Sequence, residues 1–275
     1  LVAKDRKVNY RMAFVIAVAN QKGGVGKTTT SINLSAGLAR AGFRVLLVDL
    51  DPQGHSTLAV GLDPYDLKQT MFEVMTQQIP SIQNIAIPLN EGQGFSIAPA
   101  TLQLDTGAQQ IINKPYRESI LSNALDNVPF DYIILDCPPT LGVLTYNALN
   151  ACDVVIVPCE MSRLAFEGVA NLMNLSDMIK NWRRAHAFPL QDPFVRILLT
   201  KYDSRKSVTN QTLLESIGIY QQYLFSTKIR QNEPINQALM ENQSVFSKDP
   251  RSHGAEDYGN LVEEVINLWP KKSNQ

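Results

Sequence analysis

The run Asn20-Gln21-Lys22-Gly23-Gly24-Val25-Gly26-Lys27-Thr28-Thr29-Thr30 constrains this chain more than any other. Before it stands Phe14-Val15-Ile16-Ala17-Val18-Ala19, apolar and short enough for a buried strand. After it, from Thr28 to Arg40, Ile32, Leu34, Ala36 and Leu38 stand among small residues, which suits a helix. A glycine-rich turn between a strand and a helix is a phosphate cradle. Its glycines let successive backbone N–H groups turn inward as an anion nest. The helix start adds about half a positive charge at the same place. In such a loop Lys27 reaches the β- and γ-phosphates and the Thr28 hydroxyl holds Mg²⁺. Gly23, Gly24, Val25, Gly26 and Thr29 complete the nucleotide-binding set. The common spacing G-x-x-x-x-G-K-[ST] places glycine five residues before Gly26, but that position is Gln21, and Lys22 precedes the glycine pair instead.

Further short apolar runs recur at Val45–Val48, Phe95–Ile97, Tyr132–Leu135, Val154–Val157 and Val195–Leu199, with helical stretches between them. This pattern predicts an α/β fold, a mostly parallel twisted sheet with helices on both faces and the site at the strand C-terminal ends. Residues 61–94, rich in proline and glycine, read as a surface excursion within one domain. The last helix is expected over Gly254 to Leu268, ended by Pro270. The expected organisation is an arm or appended extension over 1–12, a single domain over 13–270 and a polar tail over 271–275.

With 275 residues, 44% hydrophobic and 19% charged, the chain has the composition of a folded domain rather than a disordered one. No apolar run reaches the length of a membrane span. Residues 1–13 are charged and polar, without a secretory pattern. Cys137, Cys152 and Cys159 form no C-x-x-C pair and read as buried thiols of a reducing cytosol. The histidines make no metal spacing, and His55 reads as a helix-start or loop residue rather than a base. A net charge of −1 excludes a globally basic nucleic-acid binder, so any DNA contact must be a local patch.

Two more segments carry chemistry. In Val45-Leu46-Leu47-Val48-Asp49-Leu50-Asp51-Pro52-Gln53-Gly54 a buried strand delivers two carboxylates to a tight turn. Asp49 and Asp51 alternate along the strand and point to the same side. Carboxylates that close to one another need a cation or fixed donors. Simpler readings are a turn cap for Asp51 and a helix cap or surface position for Asp49. In Tyr132-Ile133-Ile134-Leu135-Asp136-Cys137-Pro138-Pro139, four apolar residues end in an acid placed beside Mg²⁺, and the stiff Pro138-Pro139 turn suits a γ-phosphate sensor.

Taken together, these segments resemble the deviant-Walker P-loop ATPases typified by ParA, MinD and the nitrogenase iron protein. Residues 22–29 match K-G-G-x-G-K-T-T, residues 49–54 match D-x-D-P-Q-G, and residues 136–139 match D-x-P-P. The resemblance implies that Lys22 crosses a dimer interface to the partner's nucleotide. It also implies that Asp51 orients the attacking water and that Asp49 joins Thr28 and Asp136 around Mg²⁺. Lys22, Lys27 and Asp51 are then the catalytic set. No cysteine stands at 140–150, where the iron protein needs a cluster ligand. Thr200 ends a strand beside the expected nucleobase pocket, near Lys228–Asn232, and the lack of an Asn-Lys-x-Asp guanine reader prefers ATP.

The branch follows from the C-terminal third. Glu263-Glu264 and Pro270 spoil a membrane-binding helix of the MinD type, so no stable membrane anchor is expected, and Leu261, Val265 and Leu268 are expected to pack on the body. Arg205, Lys206, Lys228, Arg230, Lys248 and Arg251 are candidates for nonspecific DNA contact, or else solvated charges. Lacking an N-terminal helix-turn-helix segment, the chain resembles the small, Soj-like form. The resemblance implies a weak, Mg²⁺-dependent ATPase whose ATP-bound homodimer binds DNA and is released by hydrolysis that a ParB-like adaptor stimulates. The setting implied is cytoplasmic and nucleoid-associated. Each phosphate neutralised contributes about −0.9 to the log–log salt slope, so doubling the contacts from roughly four to roughly eight turns weak retention into firm retention. A MinD-like surface ATPase and a dethiobiotin-synthetase-like ligase are the alternatives.

Overall fold

The computed structural model describes residues 13–90, 94–160, 173, 174, 177, 180, 181, 194–203, 205, 206, 211 and 218–270. The expected arm 1–12 and tail 271–275 lie outside the described residues.

Eight strands form one sheet. They are β1 (Phe14–Val18), β2 (Val45–Asp49), β3 (Ile87–Pro88), β4 (Phe95–Ala98), β5 (Tyr132–Asp136), β6 (Val154–Glu160), β7 (Val195–Tyr202) and β8 (Leu224–Arg230). Their order is β3-β4-β2-β5-β1-β6-β7-β8, and every pairing is parallel except β3 with β4. All six strands anticipated from the apolar runs are present. The short β3 and the edge strand β8 are additional.

Alternation along the strands divides the core in two. Val15, Ala17, Leu46, Val48, Ile133 and Leu135 face one layer. That layer holds α3 (Met71–Met75), α4 (Gln103–Ile111), α5 (Ile120–Ala124) and α6 (Val143–Ala151). Ile16, Val18, Val45, Leu47, Tyr132 and Ile134 face the other. There lie α1 (Lys27–Arg40), α7 (Glu233–Met240), α8 (Val245–Lys248) and α9 (His253–Leu268). A strand buried on both faces must be apolar at every position, which is why β1, β2 and β5 read as unbroken runs. Gly37 lets α1 and α9 meet: a Cβ there would stand 2.5 Å from Val262 Cγ2 and 3.1 Å from the Phe246 ring.

Two expectations change. Residues 61–94 are not a mere surface excursion, because Met71, Val74, Met75, Ile79, Ile82 and Ile85 are buried in the first layer. A capping box starts α3: the Thr70 side chain accepts from the Phe72 N–H, and Glu73 accepts from the Thr70 N–H. On α9, Leu261, Val262 and Val265 are buried while Leu268 is exposed. Glu264 of that helix accepts from the N–H groups of Ser226 and Thr227 at 2.8 and 2.9 Å. It thereby occupies donors along the edge strand β8, where free N–H groups would otherwise invite another strand.

Parallel register decides where the site forms. Val18 of β1 and Asp49 of β2 both lie opposite Asp136 of β5. The glycine loop, the Asp51 turn and the Pro138-Pro139 turn therefore emerge side by side at one sheet edge. This is also where β1 lies between β5 and β6, connections to its two sides running in opposite directions, the usual crevice of an open α/β sheet.

Candidate functional site

The loop Lys22–Gly26 runs directly into α1. Gly24 and Gly26 have φ of 73° and 92°, a left-handed backbone in which other residues are strained, so glycine is needed at both. No atom lies within 4 Å of where a Cβ of Gly23 or Gly24 would stand, leaving the cradle open. Lys27 is buried at its mouth, with Nζ 3.4 Å from the Lys22 carbonyl oxygen. Burial pulls its amine below the ordinary lysine range, while the charges of Asp136 and Asp51 pull it back up. An ammonium partly stripped of water and facing an open nest fits a polyphosphate.

Asp136 is fully enclosed by hydroxyls. Its Oδ2 accepts from Thr28 Oγ1 and from Ser56 Oγ, both at 2.8 Å, and its Oδ1 accepts from Ser31 Oγ at 3.0 Å. Burial raises its pKa, and the three hydroxyls and Lys27 oppose that rise. Thr28 and Asp136 together fit a hard divalent cation that also takes phosphate oxygens.

Asp49 ends β2 beside the Asp51 turn, as expected. It is fully buried; Oδ1 accepts from the Asp51 N–H at 3.1 Å, and Oδ2 accepts from the N–H and Oγ1 of Thr57 at 2.9 and 2.8 Å. Thr57 Oγ1 in turn accepts from the Ala100 N–H at 2.9 Å. The carboxylate is not a surface acid; from outside the helix His55–Ala59 it takes the first-turn N–H of Thr57, as a helix cap does, and both its oxygens are held by the chain itself. It braces the Asp51 turn. Burial and the neighbouring Asp136 raise its pKa, against these hydrogen bonds. Asp51 Oδ1 accepts from the Gln53 N–H at 3.0 Å, a turn cap that still leaves Asp51 close enough for its charge to act on Lys27. His55 is the first, exposed residue of α2 (His55–Ala59).

Three positioning residues were not anticipated. Asn20 is buried; its Nδ2 donates to the Pro158 carbonyl at the end of β6 at 2.8 Å, and its Oδ1 accepts from the Lys22 N–H at 3.0 Å. It thus sets the backbone from which Lys22 projects. Ser31 and Ser56 are the others. The small residues of α1 were legible as packing, but only the fold brings Ser31 to Asp136.

Gly26, Thr29 and Thr200 line a pocket of about 210 Å³ with Ile229, Gln231 and Asn236, close to where the base was expected. The Thr200 hydroxyl donates to the Val25 carbonyl at 2.8 Å and so braces the glycine loop, while its oxygen can still accept from a ligand in the pocket. A larger cleft, about 900 Å³, opens beside Gln53 and Gly54 between Leu58, Tyr65 and Leu102.

The basic candidates divide by partner. Arg230 is held by Asp257 and Glu256, Arg205 by Asp203 at 2.9 Å, and Lys248 by Glu241. Arg230 also lies against α9 through three contacts to the Asp257 carboxylate, which brace β8 to α9. Lys228 lies 4.7 Å above the Tyr202 ring. Lys206 and Arg251 are exposed. All three cysteines are buried. Among the described residues no helix is long and apolar enough to cross a membrane.

Residues 13–187 match a family model described as an AAA domain. The chain is 37% identical over 256 residues to the sporulation initiation inhibitor protein Soj of Bacillus subtilis (strain 168), covering 92% of this chain and 98% of that one. It is 35% identical to the chromosome partitioning protein ParA of Myxococcus xanthus, covering 94% and 90%. Among solved structures, one titled cobyrinic acid a,c-diamide synthase from Mycobacterium smegmatis, with bound ATP analogue and magnesium, is 31% identical. Its TM-score is 0.77, with 96% of this chain and 97% of that chain covered. The septum site-determining protein MinD of Pyrococcus horikoshii, complexed with Mg-ADP, is similar in fold at 19% identity and a TM-score of 0.73, covering 96% and 100%.

Proposed function

From the premise that this chain belongs to the ParA/Soj family of P-loop ATPases, we propose that it is a weak ATPase that positions or segregates cargo through an ATP-bound, DNA-binding homodimer. The observation that carries this reading is the folded Lys22–Thr29 loop, with Lys27 buried at its mouth and Thr28 hydrogen-bonded to Asp136.

The residues divide the work as follows. The backbone of Gly23, Gly24, Val25 and Gly26, with Thr29 and the pocket beside Thr200, binds the nucleotide. Lys27 places its charge on the β/γ-phosphates. Thr28 and Asp136 hold magnesium, which supplies charge neutralisation on the phosphates when bound. Asp51 orients the attacking water, and Asp49 holds the Asp51 turn in place through Thr57. Lys22 reaches the nucleotide of a second copy, so that one ATP completes two subunits. Lys206, Lys228 and Arg251, doubled by dimerisation, meet DNA phosphates. The domain spans 13–270, works in the cytoplasm on the nucleoid, and is released when a ParB-like adaptor stimulates hydrolysis.

A second reading has two observations behind it. The 31%-identical neighbour is titled a synthase, and the cleft beside Gln53 has room for a small-molecule acceptor. The two readings separate by what accelerates ATP turnover. Duplex DNA of arbitrary sequence, with the adaptor, is expected to do so, and small carboxylic acids are not. DNA retention under a non-hydrolysable ATP analogue is expected to be lost in Lys22→Ala, which still binds the analogue. Equal retention by that variant overturns the cross-subunit role of Lys22.

A further inference from the structure

The segment that follows Asp51 is fastened to the rest of the protein at two places, and they differ in kind. One is Asp49, which takes the N–H and hydroxyl of Thr57, while Thr57 takes the Ala100 N–H. Gly54 seats the same turn: its φ is 64°, and a Cβ there would stand 3.0 Å from the Ala100 carbonyl oxygen. These contacts join the end of β2 to α2 and to the loop after β4, and none of them is made to Thr28 or Asp136.

The other fastening is Ser56, fully buried, whose hydroxyl donates to Asp136 Oδ2 at 2.8 Å. A carboxylate offers roughly four acceptor sites, about two on each oxygen. In Asp136, Oδ2 is filled by Thr28 and Ser56, and Oδ1 shares the Ser31 hydroxyl proton with the Lys27 carbonyl, both at 3.0 Å. One site on Oδ1 remains. Thr28 and Ser31 both stand on α1, which the sheet and α9 hold rigidly. Ser56 is therefore the donor to Asp136 that belongs to another element, and that element begins directly after the Asp51 turn. Any change in what Asp136 accepts is passed along Ser56 to residues 51–59.

We propose that Ser56 is a positioning residue that couples magnesium occupancy at Thr28 and Asp136 to the placement of the Asp51 turn. The inference rests on the reading of Thr28 and Asp136 as the magnesium site. A turn so coupled holds its water-orienting acid in one place with the cation present and in another without it. Ser56 thus makes the cation a condition for hydrolysis through the placement of the Asp51 turn.

The test is hydrogen exchange of residues 51–59 in the full chain, with a non-hydrolysable ATP analogue, in magnesium and in EDTA. One hydrogen bond to a carboxylate corresponds to roughly ten- to a hundredfold in exchange rate. The wild type is expected to change by that amount when magnesium is added. In Ser56→Ala the magnesium-dependent change is expected to disappear, with analogue affinity in EDTA unaltered. Ser56→Thr, which keeps the hydroxyl, is expected to restore the change. A full magnesium response in Ser56→Ala overturns the proposal, as does failure of Ser56→Thr to restore it. Analogue binding by the wild type that ignores magnesium overturns the magnesium-site reading and this inference with it. Magnesium-dependent binding without a response in residues 51–59 overturns this inference alone.

Discussion

Thr57→Val tests the brace behind the Asp51 turn. Valine keeps the shape of threonine and deletes one hydroxyl. That hydroxyl, fully buried, donates to Asp49 Oδ2 at 2.8 Å and accepts from the Ala100 N–H at 2.9 Å. Losing a hydrogen bond to a charged group costs about 1.5–3 kcal/mol, and leaving the Ala100 N–H buried without a partner costs about 1–3 kcal/mol. Two effects reduce the sum. The Thr57 N–H still serves Asp49 Oδ2, and the raised pKa of Asp49 makes its full charge less secure. A net loss of about 2–4 kcal/mol results, large for a single substitution. Urea unfolding of the nucleotide-free protein should show a lower midpoint at an unchanged slope. ATP turnover should fall as well, with nucleotide affinity nearly intact, because the glycine loop is untouched. A stability loss below about 0.5 kcal/mol, the size of an ordinary surface substitution, would refute the claim that Asp49 and Thr57 hold this turn.

Arg230→Ala should destabilise the protein by roughly 1–2 kcal/mol, the Asp257 contacts being discounted for the partial exposure of the arginine; thermal melting checks this. Lys206→Ala and Arg251→Ala should leave stability within about 0.5 kcal/mol. Each of the two, present twice in the dimer, should flatten the salt dependence of DNA binding by about two units of log–log slope. Gly37→Ala should destabilise by about 1–3 kcal/mol even though alanine favours a helix by about 1, because the added methyl would overlap Val262 and Phe246. In nucleotide-free protein with EDTA, stability should increase as pH falls from 8 toward about 5. Asp49 and Asp136 have raised pKa values, so the folded state binds protons more readily than the unfolded one there, and that contribution is lost as pH rises through the folded values. Stability that rises with pH over this range would contradict the assignment.

What could be read from the chain alone followed from local signals. Six strands announced themselves because a strand covered on both faces has no polar positions to interrupt it. The glycine loop was legible because its φ requirements and its lysines are written in consecutive residues. Edge strand β8 was not, since Leu224–Arg230 is covered unevenly and mixes exposed Ser226 with buried Phe225. The apolar residues of α3 were hidden among neighbouring prolines and glycines, although Thr70 and Glu73 stood at capping-box spacing. Asp49 could be placed on a strand but not given its partners, because the turn through Gly54 brings Thr57 back onto it, and only the β2–β4 pairing brings Ala100 to Thr57. The same holds for Ser56 and Ser31, which reach Asp136 from 80 and 105 residues away. Arg230 looked like a surface cation until Asp257, 27 residues later, proved to lie against it.

The central claim is that nucleotide joins two copies of this chain through Lys22. Its most direct test is the molar mass in solution, by sedimentation or light scattering, at high protein concentration with a non-hydrolysable ATP analogue and magnesium. The account predicts a mass near twice 30.6 kDa for the wild type and a single chain's mass for Lys22→Ala. A wild-type protein saturated with analogue that keeps the mass of one chain would contradict it.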